Sequence, residues 1–165
     1  LMDQALLLNA TRVVAVQGDR ICAFGDCDVE TWAMATITFA DGVRHIIETS
    51  HYQHQGEKGW DLFGAGGRLV QQGFEPYEAA LVRGEVNDAL PQPEASRPLL
   101  YRHGQPVQRL PLQPGCWSAY YRNIAAHLLT NAELAVPAAG VRRMMALREA
   151  ILEAFERHET VAVSL

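Results

Sequence analysis

Glycines with a basic residue behind them are the first place in this sequence where chemistry could reside. The stretch GWDLFGAGGRLVQQG, residues 59–73, runs an apolar segment into Gly64, Gly66 and Gly67, with Arg68 next. That is the outline of a turn that cradles a phosphate. A dinucleotide fingerprint needs G-x-G-x-x-G opening a helix, so that the pyrophosphate meets free backbone N–H groups at the helix N-terminus. Here the third glycine position holds Leu69, and Arg68 to Gln72 leave room only for a short strand before Gly73. An acidic residue does follow about 20 positions on, but Glu85 falls in a Pro-rich loop. The glycines are therefore expected to turn a corner between strands.

His45, His51 and His54 crowd one region, and Cys22 and Cys27 lie near one another in sequence. On a strand, His45 and His51 share a face while His54 points to the other, so a tight three-ligand metal site is not expected. The segment SHYQHQGEK, Ser50 to Lys58, gathers hydrogen-bonding side chains at a strand end. It could meet a polyhydroxylated ligand, or it could be a solvated loop, since loops are commonly polar without further purpose. No Ser-His-Asp or Cys-His set is traceable. Tyr120 and Tyr121 read as packing residues.

These candidates sit in a chain of 165 residues, 48% hydrophobic and 20% charged, long enough for a single domain with its own core. No apolar run approaches the roughly 18 residues of a membrane span. Fourteen basic against nineteen acidic residues give a formal charge of −5, which repels a phosphate backbone, so nucleic acid is not an expected partner. Three cysteines without a CxxC pair, and no signal-peptide pattern, point to free thiols in a reducing cytoplasm.

The elements that must position any site follow from periodicity. RVVAVQGD, residues 12–19, reads as a strand. DVETWAMATITFA, residues 28–40, alternates, with Val29, Thr31, Ala33, Ala35, Ile37 and Phe39 on one face and Trp32, Met34, Thr36 and Thr38 on the other. Asp41-Gly42 favours a two-residue type I′ turn, which pairs VRHIIETSHY, residues 43–52, back antiparallel with Ile46 opposite Ile37 and Ile47 opposite Thr36. Apolar side chains on both faces of this hairpin predict that both are covered. Two more short strands flank Gly64–Gly67, and another pair flanks His103-Gly104. Residues 75–97 read as a surface excursion with one helical turn at 77–82. Beyond Pro114 the period becomes helical. Trp117, Tyr120 or Tyr121, Ile124 and Leu128 form one stripe, while Val141, Met144, Met145, Leu147, Ile151, Leu152 and Phe155 form another on a helix opened by Pro137. Both helices are expected to pack on the sheet. Glu153 and Arg157 sit four apart on the polar side, and TVAVSL, residues 160–165, can rejoin the sheet. The expected fold is α+β: a large, mostly antiparallel open sheet with helices on one face and the other face available for oligomerisation.

The chain opens with LMDQALLLNATRVV, inside an apolar helix-like segment without a capping residue. This suggests that a helix continues upstream and that residues 1–165 are one domain of a larger protein.

Taken in order, these segments resemble the C-terminal domain of the Gfo/Idh/MocA oxidoreductases, which include glucose-fructose oxidoreductase and inositol dehydrogenases. LMDQALLLNATRVVAVQGD is similar to the family segment after a D-x-x-x-H helix motif, and ATITFADGVRHIIETS resembles its central hairpin. WDLFGAGGRLV resembles its strand-glycine-strand element, although the family usually runs nearer V-x-G-x-x-G-x-L. The most specific piece is YYRNIAAHLLTNAELAVPAAGVRRMMALREAILEAFERHETVAV, similar to the closing helices and last strand. The resemblance implies a substrate-binding and oligomerisation domain, with NAD or NADP on a separate N-terminal Rossmann domain. The catalytic Lys, Asp and His would lie upstream of Leu1, leaving no catalytic, cofactor or metal residue within the chain. It also implies that Asp3 binds substrate hydroxyls and that His51, Tyr52 and His54 face the substrate, a sugar, inositol or related polyol. The sheet face bearing Trp32 and Met34 would form a homodimer or homotetramer. A second reading is a stand-alone module that binds a small ligand or scaffolds a dimer without chemistry.

Overall fold

The structure is a computed structural model that describes residues 1–23, 29–51, 58–72, 80, 82–84, 94–113 and 115–165. The fold is α+β with antiparallel sheets, as expected. The strands, β1 (Val13–Ile21), β2 (Trp32–Phe39), β3 (Arg44–Ser50), β4 (Lys58–Gly64), β5 (Gly67–Gln72), β6 (Leu99–Tyr101), β7 (Gln108–Arg109) and β8 (Val161–Ala162), divide into two four-stranded sheets, ordered β3-β2-β1-β8 and β4-β5-β6-β7. The chain forms two compact units, one of Leu1–Gln53 with Val136–Leu165 and one of His54–Ala135. Among the described residues no helix is long and apolar enough to cross a membrane.

In the first unit, α1 (Met2–Leu8) leads into β1 (Val13–Ile21), β2 (Trp32–Phe39) and β3 (Arg44–Ser50), and α3 (Ala138–Arg157) precedes the short β8 (Val161–Ala162). The alternation read in β2 holds: Ala35, Ile37 and Phe39 are buried, and Trp32, Met34, Thr36 and Thr38 point to the opposite face. β1 contributes Val13 and Val16 to the core, α1 contributes Ala5, and α3 contributes Leu147, Ala150, Ile151, Ala154 and Phe155. Full burial of a Leu or Ile side chain stabilises by about 1.5–3 kcal/mol, so these residues carry the layer. The stripe on α3 extends less far than its periodicity suggests, because Val141 and Met145 stay exposed in its first turns. The Glu153–Arg157 pair forms at 3.0 Å.

The β2–β3 register differs by one residue from the expected one. Ile46 faces Thr36, Ile47 faces Ala35 and His45 faces Ile37. The loop is three residues rather than two: the Phe39 N–H donates to the Val43 carbonyl at 2.9 Å and the Gly42 N–H to the Phe39 carbonyl at 3.0 Å. Gly42 takes φ +86° while Asp41 stays at negative φ, the type I turn with a left-handed closing residue. A slip of one exchanges the faces, so Ile47 packs against the core and Ile46 is 62% exposed.

In the second unit, β4 (Lys58–Gly64) and β5 (Gly67–Gln72) form a hairpin closed by the Gly64–Gly67 pair. β6 (Leu99–Tyr101) and β7 (Gln108–Arg109) follow after a single 3-10 turn at Glu94–Ser96. The next helix, α2 (Trp117–Thr130), departs from expectation. It holds no buried residue, and Trp117, Tyr120, Tyr121 and Leu128 are all exposed. Its side-chain hydrogen bonds run to the segment that follows it. Asn123 donates from Nδ2 to the Glu133 carbonyl and accepts from the Ala135 N–H, both at 2.8 Å, and His127 Nδ1 meets the Ala132 carbonyl at 2.7 Å. Apolar spacing reports that a face can be buried; it does not supply the partner. The helical turn expected at 77–82 falls mostly outside the described residues.

Candidate functional site

The glycine segment turns a corner, as its sequence implies. A strand follows Gly67, so no helix N-terminus is present to receive a pyrophosphate. Gly67 answers a different need. It adopts φ +145°, and a Cβ there would overlap the Tyr101 carbonyl oxygen of β6, so the absence of a side chain lets β6 close on β5. Arg68 is taken up by Asp61 across the hairpin, with Nε donating to Oδ1 at 2.7 Å and Nη2 to Oδ2 at 2.6 Å. Its guanidinium also lies 4.8 Å from the centre of the Phe63 ring. The sequence reading missed this fork; the signal was an Asp and an Arg on either side of a glycine turn, on one strand face.

Asp3 sits in the first turn of α1 with its side chain 73% exposed, 3.2 Å from the Leu1 amine. His51 occupies the turn after β3. Its backbone N–H donates to the Thr31 carbonyl at 2.9 Å, anchoring the main chain while the side chain stays exposed. Tyr52 and His54 lie outside the described residues. No hydrogen bond or ion pair joins Asp3 to His51 among the described residues. His45 belongs to the core side of β3, where burial, the largest cause, pushes its pKa below the ordinary value. Among the described residues no group of three His, Cys, Asp or Glu side chains is placed to hold a metal.

Two hollows flank the start of α1. One, of about 290 Å³, is bounded by Leu1, Met2, Asp3, Val136, Gly140, Val141 and Met144; apart from the Asp3 carboxylate, its side chains are apolar. The other, also about 290 Å³, is a groove between α3 and strands β2 and β3, lined by apolar Ala33, Ala35, Ile47, Leu152 and Phe155 and by polar Glu30, Thr49 and Arg148. Glu30 is held by Arg20 at 3.0 Å. Its own N–H, then the Arg20 hydrogen bond, keep its carboxyl below the usual range. Of the two proposed substrate residues among the described ones, Asp3 lines one of these hollows and His51 lines neither. The chemistry of Asp3 there is that of an anionic acceptor for hydroxyl donors.

The opposite face of the first sheet presents Ile21, Trp32, Met34 and Ile46 in adjacent strands, with Ile21 53% and Ile46 62% exposed. Trp32 Nε1 donates to Glu48 Oε1 at 2.8 Å on this face.

No protein-family model matches the chain, and no curated protein does. Solved structures do. The "putative oxidoreductase" of Bacteroides fragilis NCTC 9343 superposes with a TM-score of 0.84 at 23% identity, over 98% of this chain and 50% of that one. The "putative oxidoreductase" of Klebsiella pneumoniae gives 0.86 at 20% identity, over 99% and 48%. An NAD-binding protein of Listeria innocua gives 0.71 at 22% identity, over 98% and 49%. At these identities the likeness establishes the fold. The chain spans about half the length of the structures it matches.

Proposed function

We propose that residues 1–165 are the substrate-binding and self-associating domain of a nicotinamide-dependent oxidoreductase acting on a sugar, inositol or related polyol. The observation that carries this is the match of nearly the whole chain to about half of several oxidoreductases, with an NAD-binding protein among the structures of the same fold. The glycine turn of this chain does not fit a dinucleotide, so NAD or NADP belongs to a Rossmann domain outside it, together with the catalytic Lys, Asp and His. When bound there, the nicotinamide accepts or donates the hydride.

The residues of this chain bind and orient. Asp3, ionised and at the mouth of an apolar hollow, accepts hydrogen bonds from substrate hydroxyls, and His51 with Tyr52 and His54 supplies further donors and acceptors. Such a site discriminates because a substrate lacking the hydroxyl leaves a polar group unpaired. The face carrying Ile21, Trp32, Met34 and Ile46 offers the contiguous apolar area that association of copies requires. The test is the steady-state kinetics of Asp3→Ala in the full-length protein with a polyol substrate. KM should rise about tenfold or more for a lost charged hydrogen bond; unchanged kinetics would remove Asp3 from the site.

A further inference from the structure

The outer face of the first sheet carries its charges in a pattern. Strands β1, β2 and β3 are paired in register, so residues opposite one another form rows across the three strands. One row is Asp19, Met34 and Glu48, the next is Gln17, Thr36 and Ile46, and the third is Ala15, Thr38 and Arg44. Asp19, Arg44, Ile46 and Glu48 are all exposed. Glu48 is held in place by Trp32, whose Nε1 donates to Oε1 at 2.8 Å. Among the described residues neither Arg44 nor Asp19 enters an ion pair. The face therefore has an acidic row and, two rows away, a cationic corner. Arg44 and Glu48 stand about 14 Å apart on β3 at roughly 3.4 Å per residue, with Ile46 midway.

Two copies that meet through this same face are related by a two-fold axis lying between the sheets. An axis running along the strands keeps every residue in its own row, so the acidic row of one copy lies on the acidic row of the other. Like charges face each other, Arg44 finds no counter-charge, and repulsion opposes the stack. An axis that crosses the strands over the Ile46 row exchanges the outer rows instead. Each Arg44 then falls over Glu48 of the other copy, Ile46 meets its own counterpart, and Met34 meets Thr38. Stacked sheets lie about 10 Å apart, a gap that an arginine and a glutamate reaching from opposite sides can span.

We propose that the outer face joins two copies of this chain with their strands antiparallel across the interface, each Arg44 paired with Glu48 of the second copy around a central Ile46 contact. This rests on the reading of that face as the self-associating surface. It adds the orientation of the copies and the charged residues that select it.

The test is charge exchange in the full-length protein, read as the dissociation constant in sedimentation equilibrium. Arg44→Glu sets glutamate over glutamate at two symmetric points, and Glu48→Arg sets arginine over arginine. Each variant alone is expected to associate about tenfold or more weakly than the unaltered protein. Mixed together, the two are complementary at both points and should form heterodimers at close to the original strength. A mixture that stays as weak as its components, or an Arg44→Glu protein that associates normally, would overturn the proposal. Should Glu48→Arg fail to fold for want of the Trp32 bond, Glu48→Gln keeps an acceptor there and decides in its place. It should weaken association by itself yet strengthen it in the Arg44→Glu background, and additive losses would count against the pairing. Ile46→Glu separates the two readings. Copies that dissociate with Ile46→Glu but ignore the charge exchange remove the orientation alone, whereas association unchanged by Ile46→Glu removes the self-associating face and the orientation with it.

Discussion

Gly18 is where the packing of α3 on the sheet can be tested most sharply. It lies mid-β1 opposite Ala35. A Cβ added there would overlap Cε1 of the Phe155 ring and stand 2.8 Å from the Met34 carbonyl oxygen. Gly18→Ala therefore forces both the ring and the neighbouring strand to shift. Overpacking of this kind costs about 1–3 kcal/mol, and for a chain of this length each kcal/mol lowers Tm by about 2–4 °C. A loss of about 4–8 °C is expected for a cost of about 2 kcal/mol, read by calorimetry or circular dichroism. Phe155→Leu, which removes the ring edge, should cost about 2 kcal/mol alone through the cavity it leaves. The double variant should be more stable than the sum predicts by about 1 kcal/mol, the coupling expected of touching groups. Recovery stays partial because the Met34 oxygen remains. An unchanged Tm for Gly18→Ala, or strict additivity with Phe155→Leu, would refute the close approach of α3 to β1.

Further expectations concern single groups. Gly67→Ala should destabilise the second unit by about 2 kcal/mol or more, since both its φ and the Tyr101 carbonyl oppose a side chain; hydrogen exchange along β5 and β6 would show it, and unchanged protection there would count against it. Asn123→Ala deletes two backbone contacts and should cost about 1–2 kcal/mol, whereas Asn123→Asp should keep the bond to the Ala135 N–H; equal losses would contradict this. His45 has its folded pKa depressed below 6.5, so the unfolded chain binds the proton more readily. Stability is full above pH 6.5 and falls as pH drops from there through the folded pKa, and His45→Gln should flatten that part of the profile in denaturant titrations. Met34→Glu with Ile46→Glu should yield monomers in light scattering if the outer sheet face joins copies; an intact oligomer would assign association elsewhere.

Much of the first unit was legible in the sequence, because β2 alternates for its whole length and the α3 stripe from Leu147 to Phe155 repeats at helical spacing. The turn at Asp41-Gly42 was legible as a turn but not in its length. Both loop types use a glycine at positive φ, and only the Phe39–Val43 pairing separates them, which exchanged the roles of Ile46 and Ile47. The α2 stripe misled, since its spacing matches an amphipathic helix, yet Trp117, Tyr120, Tyr121 and Leu128 stay exposed while Asn123 and His127 bond the segment that follows. At the site, Asp3 was nameable by position in a resemblance, but its neighbours Val136, Gly140 and Met144 come from more than a hundred residues away. No local pattern announces that meeting. The groove was hidden for the same reason, as its walls from β2, β3 and α3 meet only in the fold.

Fluorescence titration of NADH and NADPH against the full-length protein and against residues 1–165 alone decides whether the nicotinamide site lies outside this chain. The full-length protein should bind one of the two in the micromolar range or tighter, and residues 1–165 neither. Micromolar binding by residues 1–165, or no binding by the full-length protein, would contradict that placement.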